Sequence, residues 1–192
     1  RAGTLAGSGT IRANAGTGSY TGAGGGRVAV KLTAGDFTGF TGSITAYGGN
    51  QGIASGAAGT VYKQTAAQAD GQGTLVIDNG NRTAWLGVVT LMPMGLDLNA
   101  FEQIVITNRG NLGVNTNDVL DFGLGRIAGA GAIGAYVTIV SPSAVTFPAS
   151  YTISNYTLVA EALSVVTGNW TIAAGGNLTH RENWHTETYK LN

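Results

Sequence analysis

The chain has 192 residues, of which 32 are glycine and 10% are charged, and its ten Lys and Arg balance ten Asp and Glu. This balance excludes the basic excess typical of nucleic-acid binding, and a count of three prolines excludes collagen. A hydrophobic content of 43% excludes charge-driven disorder, and the absence of cysteine excludes a disulfide or cysteine–metal scaffold.

Five short β-forming runs, spaced at similar intervals, make up the first half of the chain. Each run alternates apolar and polar side chains or is rich in β-branched residues, which predicts strands. The glycine-rich segments between the runs allow tight corners and a close approach of backbones. The five runs cover residues 9–14, 27–32, 43–47, 59–64 and 73–78.

The second half of the chain contains fewer glycines: residues 97–192 have 10, whereas residues 1–96 have 22. Residues 65–70, the best helix candidate, are too few to form a stable helix, so we expect a loop or a single turn there. From residue 135 onward, strand-like runs recur every six to eight residues, and three of them would form a coil of about 20 residues. The runs of this half are 101–107, 111–114, 119–122, 135–140, 144–147, 151–154, 156–160, 163–166, 169–173, 177–180 and 186–191.

The pattern predicts an all-β fold, a single right-handed parallel β-helix (β-solenoid) with glycine-rich corners. It would cover residues 1–192 as one domain, with longer loops in 1–96 and tighter coils in 97–192. The alternative is a β-sandwich or jelly roll, but the chain offers few hairpin signals besides Asn79-Gly80 and Asn108-Arg109-Gly110. Because the chain opens and closes inside the repeating pattern, we expect it to be a piece of a longer protein. It contains no apolar run long enough to span a bilayer.

Several glycine-bounded runs resemble a known kind of module. The resemblance is carried by residues 24–30, 37–39, 42–49, 59–62 and 73–79, and the run 168–180 is similar to coils of the form x-x-Leu-Thr-Ile-x-x-Gly-Gly-x-Leu-Thr. In these segments the chain resembles the glycine-rich β-helix modules of very large, repetitive bacterial surface and secreted proteins. The resemblance implies an extracellular protein of a fibre, sheath or adhesin, with no catalytic residues and no cofactor.

An enzyme is the competing class, because polysaccharide lyases and hydrolases also use β-helices. Glycoside hydrolysis needs two carboxylates facing one cleft. Asp118 and Asp121 are the closest pair, and at a spacing of three on a strand they face opposite sides. We therefore expect no enzymatic activity, and keep a carbohydrate-binding or polysaccharide-cleaving β-helix as the alternative function.

Two weaker candidate sites remain. Four residues of metal-binding type lie near the C-terminus. If they lie on one strand, two of them face each side, which is too few ligands for a closed zinc site, so we expect no metal. Tryptophans could stack on sugar rings, although core packing explains them as well. The metal candidates are His180, Glu182, His185 and Glu187, and the ligand candidates are Trp170 and Trp184.

The last prediction concerns the two open ends of the solenoid. A solenoid exposes unpaired backbone groups at both ends, and such edges recruit other chains unless a cap covers them. The run 186–191 consists of β-forming residues, so we expect head-to-tail assembly with copies of the chain or with adjacent repeats of the same protein; glycans are a further possible partner. The residues assigned to this contact are Thr186, Thr188, Tyr189 and Leu191.

Overall fold

The structure is a computed structural model that describes residues 1–18, 22–50, 55–84, 88–93, 95–114, 127–129, 134–140, 147, 149–160 and 168–179. Within these residues the chain is all-β, and its one helical element is a single 3-10 turn, Leu98–Ala100, capped by the Asp97 carboxylate. The strands are β1 Thr10–Arg12, β2 Arg27–Lys31, β3 Ser43–Thr45, β4 Thr60–Gln64, β5 Thr74–Asp78, β6 Thr90–Leu91, β7 Gln103–Thr107, β8 Gly110–Val114, β9 Ile127–Gly129, β10 Ala135–Ile139, β11 Ser150–Ile153, β12 Thr157–Ala160, β13 Asn169–Ile172 and β14 Asn177–Thr179.

Among the described strands, each parallel pair joins strands that are two elements apart in the sequence. Two five-stranded sheets have the orders β2-β4-β5-β7-β9 and β14-β12-β10-β8-β6, and two smaller sheets pair β1 with β3 and β11 with β13. The predicted all-β class is therefore confirmed. Each described strand lies within a predicted run or extends it by one residue, except β6 and β9, which have no predicted counterpart.

The interval between paired residues falls from the first strands to the last, although it is only 22 between β6 and β8 and 23 between β7 and β9. Thr10 pairs with Ser43 at an interval of 33, and β5 pairs with β7 at an interval of 29. The interval is 25 between β8 and β10, 20 between β12 and β14, and 19 between β11 and β13. We call the N-terminal part, where this interval is longest, the wide end, and the C-terminal part, where it is shortest, the narrow end.

One antiparallel pair interrupts the parallel order, which the sequence pattern did not predict. β4 and β5 run in opposite directions, with Tyr62 opposite Leu75. The connecting loop is fixed by the buried Gln64 carboxamide, which accepts hydrogen bonds from the Tyr62 hydroxyl (2.7 Å) and the Gly71 backbone N–H (3.2 Å). Residues 65–70 are a turn-containing loop, as predicted.

Most of the main hydrophobic core lies from β5, the second strand of this hairpin, onward. Leu75 and Ile77 of β5 stack in register on Ile104 and Ile106 of β7, and all four are at most 2% exposed. On the other large sheet, residues at one register position of β8, β10 and β12 form a second aliphatic column. Its members are Leu112, Val137 and Leu158.

The described residues of the segment 1–64 pack mainly around glycine backbone, and few of their aliphatic side chains are buried. A Cβ atom on Gly59 would lie 1.8 Å from the carbonyl oxygen of Gly26, and one on Gly25 would lie 2.1 Å from that of Ala46. Of the buried residues in this part, only Ala58 belongs to the main core cluster. The glycine content of the first half thus permits backbone segments to touch.

Several corners have asparagine or glycine in the left-handed region. Asn81, Asn108 and Asn155 have φ between 48° and 59°. The Asn108-Arg109 corner joins β7 to β8, and these strands belong to different sheets. The Asn108-Arg109 segment is therefore a corner between two sheets, and not the hairpin turn that a β-sandwich or jelly roll would need. In the described part of the chain, no helix is long and apolar enough to cross a membrane.

Candidate functional site

Most of the site residues selected from the sequence lie outside the described residues. In the described part, no group of three or more His, Cys, Asp or Glu residues is arranged to hold a metal ion. The residues outside the description are the metal candidates His180, Glu182, His185 and Glu187, the ligand candidate Trp184, the carboxylates Asp118 and Asp121, and the assembly residues Thr186, Thr188, Tyr189 and Leu191.

Trp170, the one candidate that is described, lies in an aromatic cluster on β13. Its ring centroid is 4.7 Å from that of Phe147 and 5.3 Å from that of Tyr151, its register partner on β11. The indole is partly buried against the main core, and among the described residues its buried N–H has no hydrogen-bond acceptor. Aromatic packing therefore accounts for the placement of the ring, and sugar stacking by Trp170 stays a prediction.

Two tyrosines of this region share a buried hydrogen bond. The hydroxyl oxygens of Tyr151 and Tyr156 are 2.7 Å apart, and both residues are less than 5% exposed. Burial disfavours the phenolate, so it raises the pKa of Tyr156 to about 12 and raises that of Tyr151 as well. The pair is a neutral polar link between β11 and the corner that precedes β12.

A cleft of about 600 Å³ lies beside the β4–β5 hairpin loop. The Gln68 side-chain amide donates a hydrogen bond to the Glu102 carboxylate, and the Gln68 side-chain carbonyl oxygen accepts one from the Thr65 backbone N–H (2.8 Å). Amide and carboxylate groups of this kind can bind hydroxyl groups of a ligand. The lining residues are Thr65, Ala67, Gln68, Ala69, Gln72, Asn99, Ala100, Phe101 and Glu102.

The N-terminal edge is the third candidate, and we define it as residues 1–18 and 22–31. In the described structure β1 pairs only with β3, and β2 pairs only with β4, so the opposite side of both strands carries no partner strand. Ala2, which bridges to Leu32, covers only the end of β2. Not one described residue of this edge is buried, although Val28 lies in register with Val61, which is 4% exposed. Among the described residues, this edge thus carries no partner strand, and its apolar side chains are partly exposed.

All charged side chains of this edge are basic, a feature that the sequence analysis did not identify. Residues 1–35 hold Arg1, Arg12, Arg27 and Lys31 and no Asp or Glu. Arg1, Arg12 and Arg27 are exposed, whereas Lys31 forms an ion pair with Asp70 of the hairpin loop. Counting charge by segment would have revealed this, because the zero net charge of the whole chain hides it.

Comparison with known proteins found no matching family model, no matching curated protein and no matching solved structure.

Proposed function

We propose that the chain is a structural β-solenoid, a unit of an extracellular fibre, sheath or adhesin that extends by stacking coil upon coil. The observation that carries this proposal is the series of parallel, in-register pairs, from Thr10 with Ser43 at the wide end to Ser150 with Asn169 at the narrow end. Such pairs arise when a chain winds repeatedly and lays each turn on the previous one. Under this proposal, the antiparallel β4–β5 hairpin joins two stretches of coil.

The interior of the described strands supports a structural role. Columns of aliphatic side chains and touching glycine backbones fill the space between sheets, as in Leu112, Val137 and Leu158. Repeat proteins of this type gain stability from contacts between neighbouring coils. The proposal includes no catalytic activity and no cofactor, and it gives the chain copies of itself or adjacent repeats of its own protein as partners.

Immunogold electron microscopy of the cells that produce the chain tests this role. Antibodies against the chain should label fibres or a layer outside the cell. Labelling confined to the cell interior would contradict the extracellular structural role.

A carbohydrate-binding role is the second candidate, and the cleft beside the hairpin loop supports it. Its amide and carboxylate groups are the hydrogen-bonding types that recognise sugar hydroxyls. A glycan array should then show retention that Gln68→Ala abolishes. Asn50→Ala, an exposed amide outside the cleft, is the matched control and should leave retention unchanged.

A further inference from the structure

We infer that Asn79 is a deamidation site that the folded chain protects, so that its side-chain amide is lost to water only when the corner after β5 opens. Of the asparagines in the sequence, Asn79 alone precedes a glycine. Because glycine lacks a Cβ atom, the Gly80 backbone nitrogen can approach the preceding side chain more closely than that of a larger residue. Asparagine is also among the thermolabile residue types.

The reaction needs only water and takes place between these two residues. The Gly80 backbone nitrogen gives its proton to hydroxide and attacks the Asn79 side-chain carbonyl carbon. The new C–N bond closes a five-membered imide ring, and ammonia leaves with a proton taken from water. Water then opens the ring at one of its two carbonyls, which leaves an aspartate at this position with either the normal or a β-linked peptide bond.

The folded chain holds the group that is attacked, the Asn79 carboxamide. The side chain is 0% exposed. Its oxygen accepts a hydrogen bond from the Gly48 backbone N–H (3.0 Å), and its amide group donates to the backbone carbonyls of Gly56 (3.2 Å) and Arg82 (2.7 Å). These bonds fix the orientation of the carboxamide, and burial keeps hydroxide and water away from it. Both obstacles disappear when the corner opens.

The attacking group is held as well. The Gly80 backbone N–H donates a hydrogen bond to the Asp78 carboxylate (2.7 Å). A negative charge beside this N–H disfavours the loss of its proton. Gly80 also packs against the Tyr47 ring, since a Cβ atom built on it would lie 3.1 Å from the nearest ring carbons, and the Arg82 guanidinium lies 5.3 Å from the centroid of the same ring. The corner is therefore clamped on both sides of the bond that would form.

The product would not fit the site that the asparagine occupies. A carboxylate at position 79 has no N–H to donate, so the carbonyls of Gly56 and Arg82 would face a negatively charged oxygen. Burial of a charge without a partner is strongly unfavourable. The β-linked product also adds one carbon to the backbone and displaces the corner. Chains that react while unfolded should therefore fail to refold, so that unfolding becomes irreversible with time.

Peptide mass spectrometry of the whole chain tests the inference. The chain is kept folded in buffer, or unfolded in guanidinium chloride, at the same mildly alkaline pH and temperature. Asn79 should convert at least about tenfold faster in the unfolded chain, because a buried group reacts only while its region is open. The yield of refolding on dilution, measured by circular dichroism, should fall in step with the converted fraction.

Two controls separate the effect of the fold from that of the sequence. Asn81 is exposed at the same corner but precedes Arg82, so it should convert slowly in both states. Gly80→Ala is compared only in the unfolded state, and its methyl group should slow conversion of Asn79 roughly tenfold. Equal rates for Asn79 in the folded and unfolded chain would overturn the protection. A rate no faster than that of Asn81 in the unfolded chain would overturn the site, and full refolding of converted chains would overturn the irreversible loss.

Discussion

At the scale of single residues, glycine backbone contacts determine where a side chain is tolerated. Gly59 lies where a Cβ atom would be 1.8 Å from the carbonyl oxygen of Gly26, whereas Gly9 has open space at the same position. We expect Gly59→Ala to lower the free energy of unfolding by about 1–3 kcal/mol or more, as overpacking does. Gly9→Ala, the control, should be neutral or stabilise by up to about 1 kcal/mol. Thermal unfolding followed by circular dichroism measures both, and equal effects would contradict backbone packing.

Asn79 is a buried polar side chain that links β5 to the glycine-rich residues. The side chain is 0% exposed. Its carboxamide oxygen accepts a hydrogen bond from the Gly48 backbone N–H (3.0 Å). Its amide group donates hydrogen bonds to the backbone carbonyls of Gly56 (3.2 Å) and Arg82 (2.7 Å). Asn79→Ala leaves these backbone groups without that partner, at about 1–3 kcal/mol for each buried group left unsatisfied. Urea denaturation should show a loss of several kcal/mol, against less than about 0.5 kcal/mol for the exposed Asn169→Ala. Similar losses for both variants would contradict this role.

The buried tyrosine pair predicts a loss of stability at alkaline pH. Because the pKa of Tyr156 is raised to about 12 in the folded chain, against about 10 when unfolded, its contribution is complete below pH 10 and falls as pH rises toward 12. A shift of this size is worth at most about 3 kcal/mol. Chemical denaturation at pH 9 and 11.5 should show a steeper decline for wild type than for the double variant Y151F/Y156F. Identical pH dependence would contradict the account.

At the scale of elements, alternation of apolar residues predicted the strands well. β2, β4 and β5 coincide with predicted runs to within one or two residues, because each has period-two patterning bounded by glycine or by turn residues. The β4–β5 hairpin could not be predicted in this way. Its direction depends on Gln64, whose buried hydrogen bonds to the loop are contacts that sequence alternation does not encode. The two-residue strand β6 is too short to carry a periodic signal.

The candidate sites were less predictable than the strands. Trp170 stood out by residue type, but its packing against Phe147 and Tyr151 depends on the register of β11 and β13. The cleft depends on the hairpin loop lying beside residues 99–102, which are distant in sequence. The basic N-terminal edge was visible in the sequence, because the segment 1–35 contains no carboxylate side chain.

The strands before and after the β4–β5 hairpin differ in how deeply their apolar side chains are buried, so their local stabilities should differ. Ile106 is 0% exposed in the main core, whereas Val30 of β2 is only partly buried. We expect Ile106→Ala to cost about 2–5 kcal/mol and Val30→Ala clearly less. Amide hydrogen exchange should show stronger protection in β7 and β10 than in β1 and β2. Stronger protection in β1 and β2 would contradict the division at the hairpin.

At the scale of the whole molecule, the two ends differ in the number of residues that separate register partners, 33 at the wide end and 19 or 20 at the narrow end. The wide end carries backbone-packed glycine and arginine, and the described residues of the narrow end carry aliphatic columns and the aromatic cluster of Trp170. An assembly built from such units would be polar, because among the described residues one end differs from the other in interval length and charge.

In-register crosslinking tests the central claim, the stacking of parallel coils, most directly. The chain has no cysteine, so engineered pairs are free of background. Thr10/Ser43 at the wide end and Ser150/Asn169 at the narrow end are exposed register partners. With a short thiol crosslinker, cysteines at these pairs should crosslink rapidly, and the shifted controls Thr10/Thr45 and Ser150/Thr171 should react slowly, because two residues along a strand add about 6.6 Å. Equal rates for matched and shifted pairs, or no crosslinking at either end, would contradict the stacked-coil account.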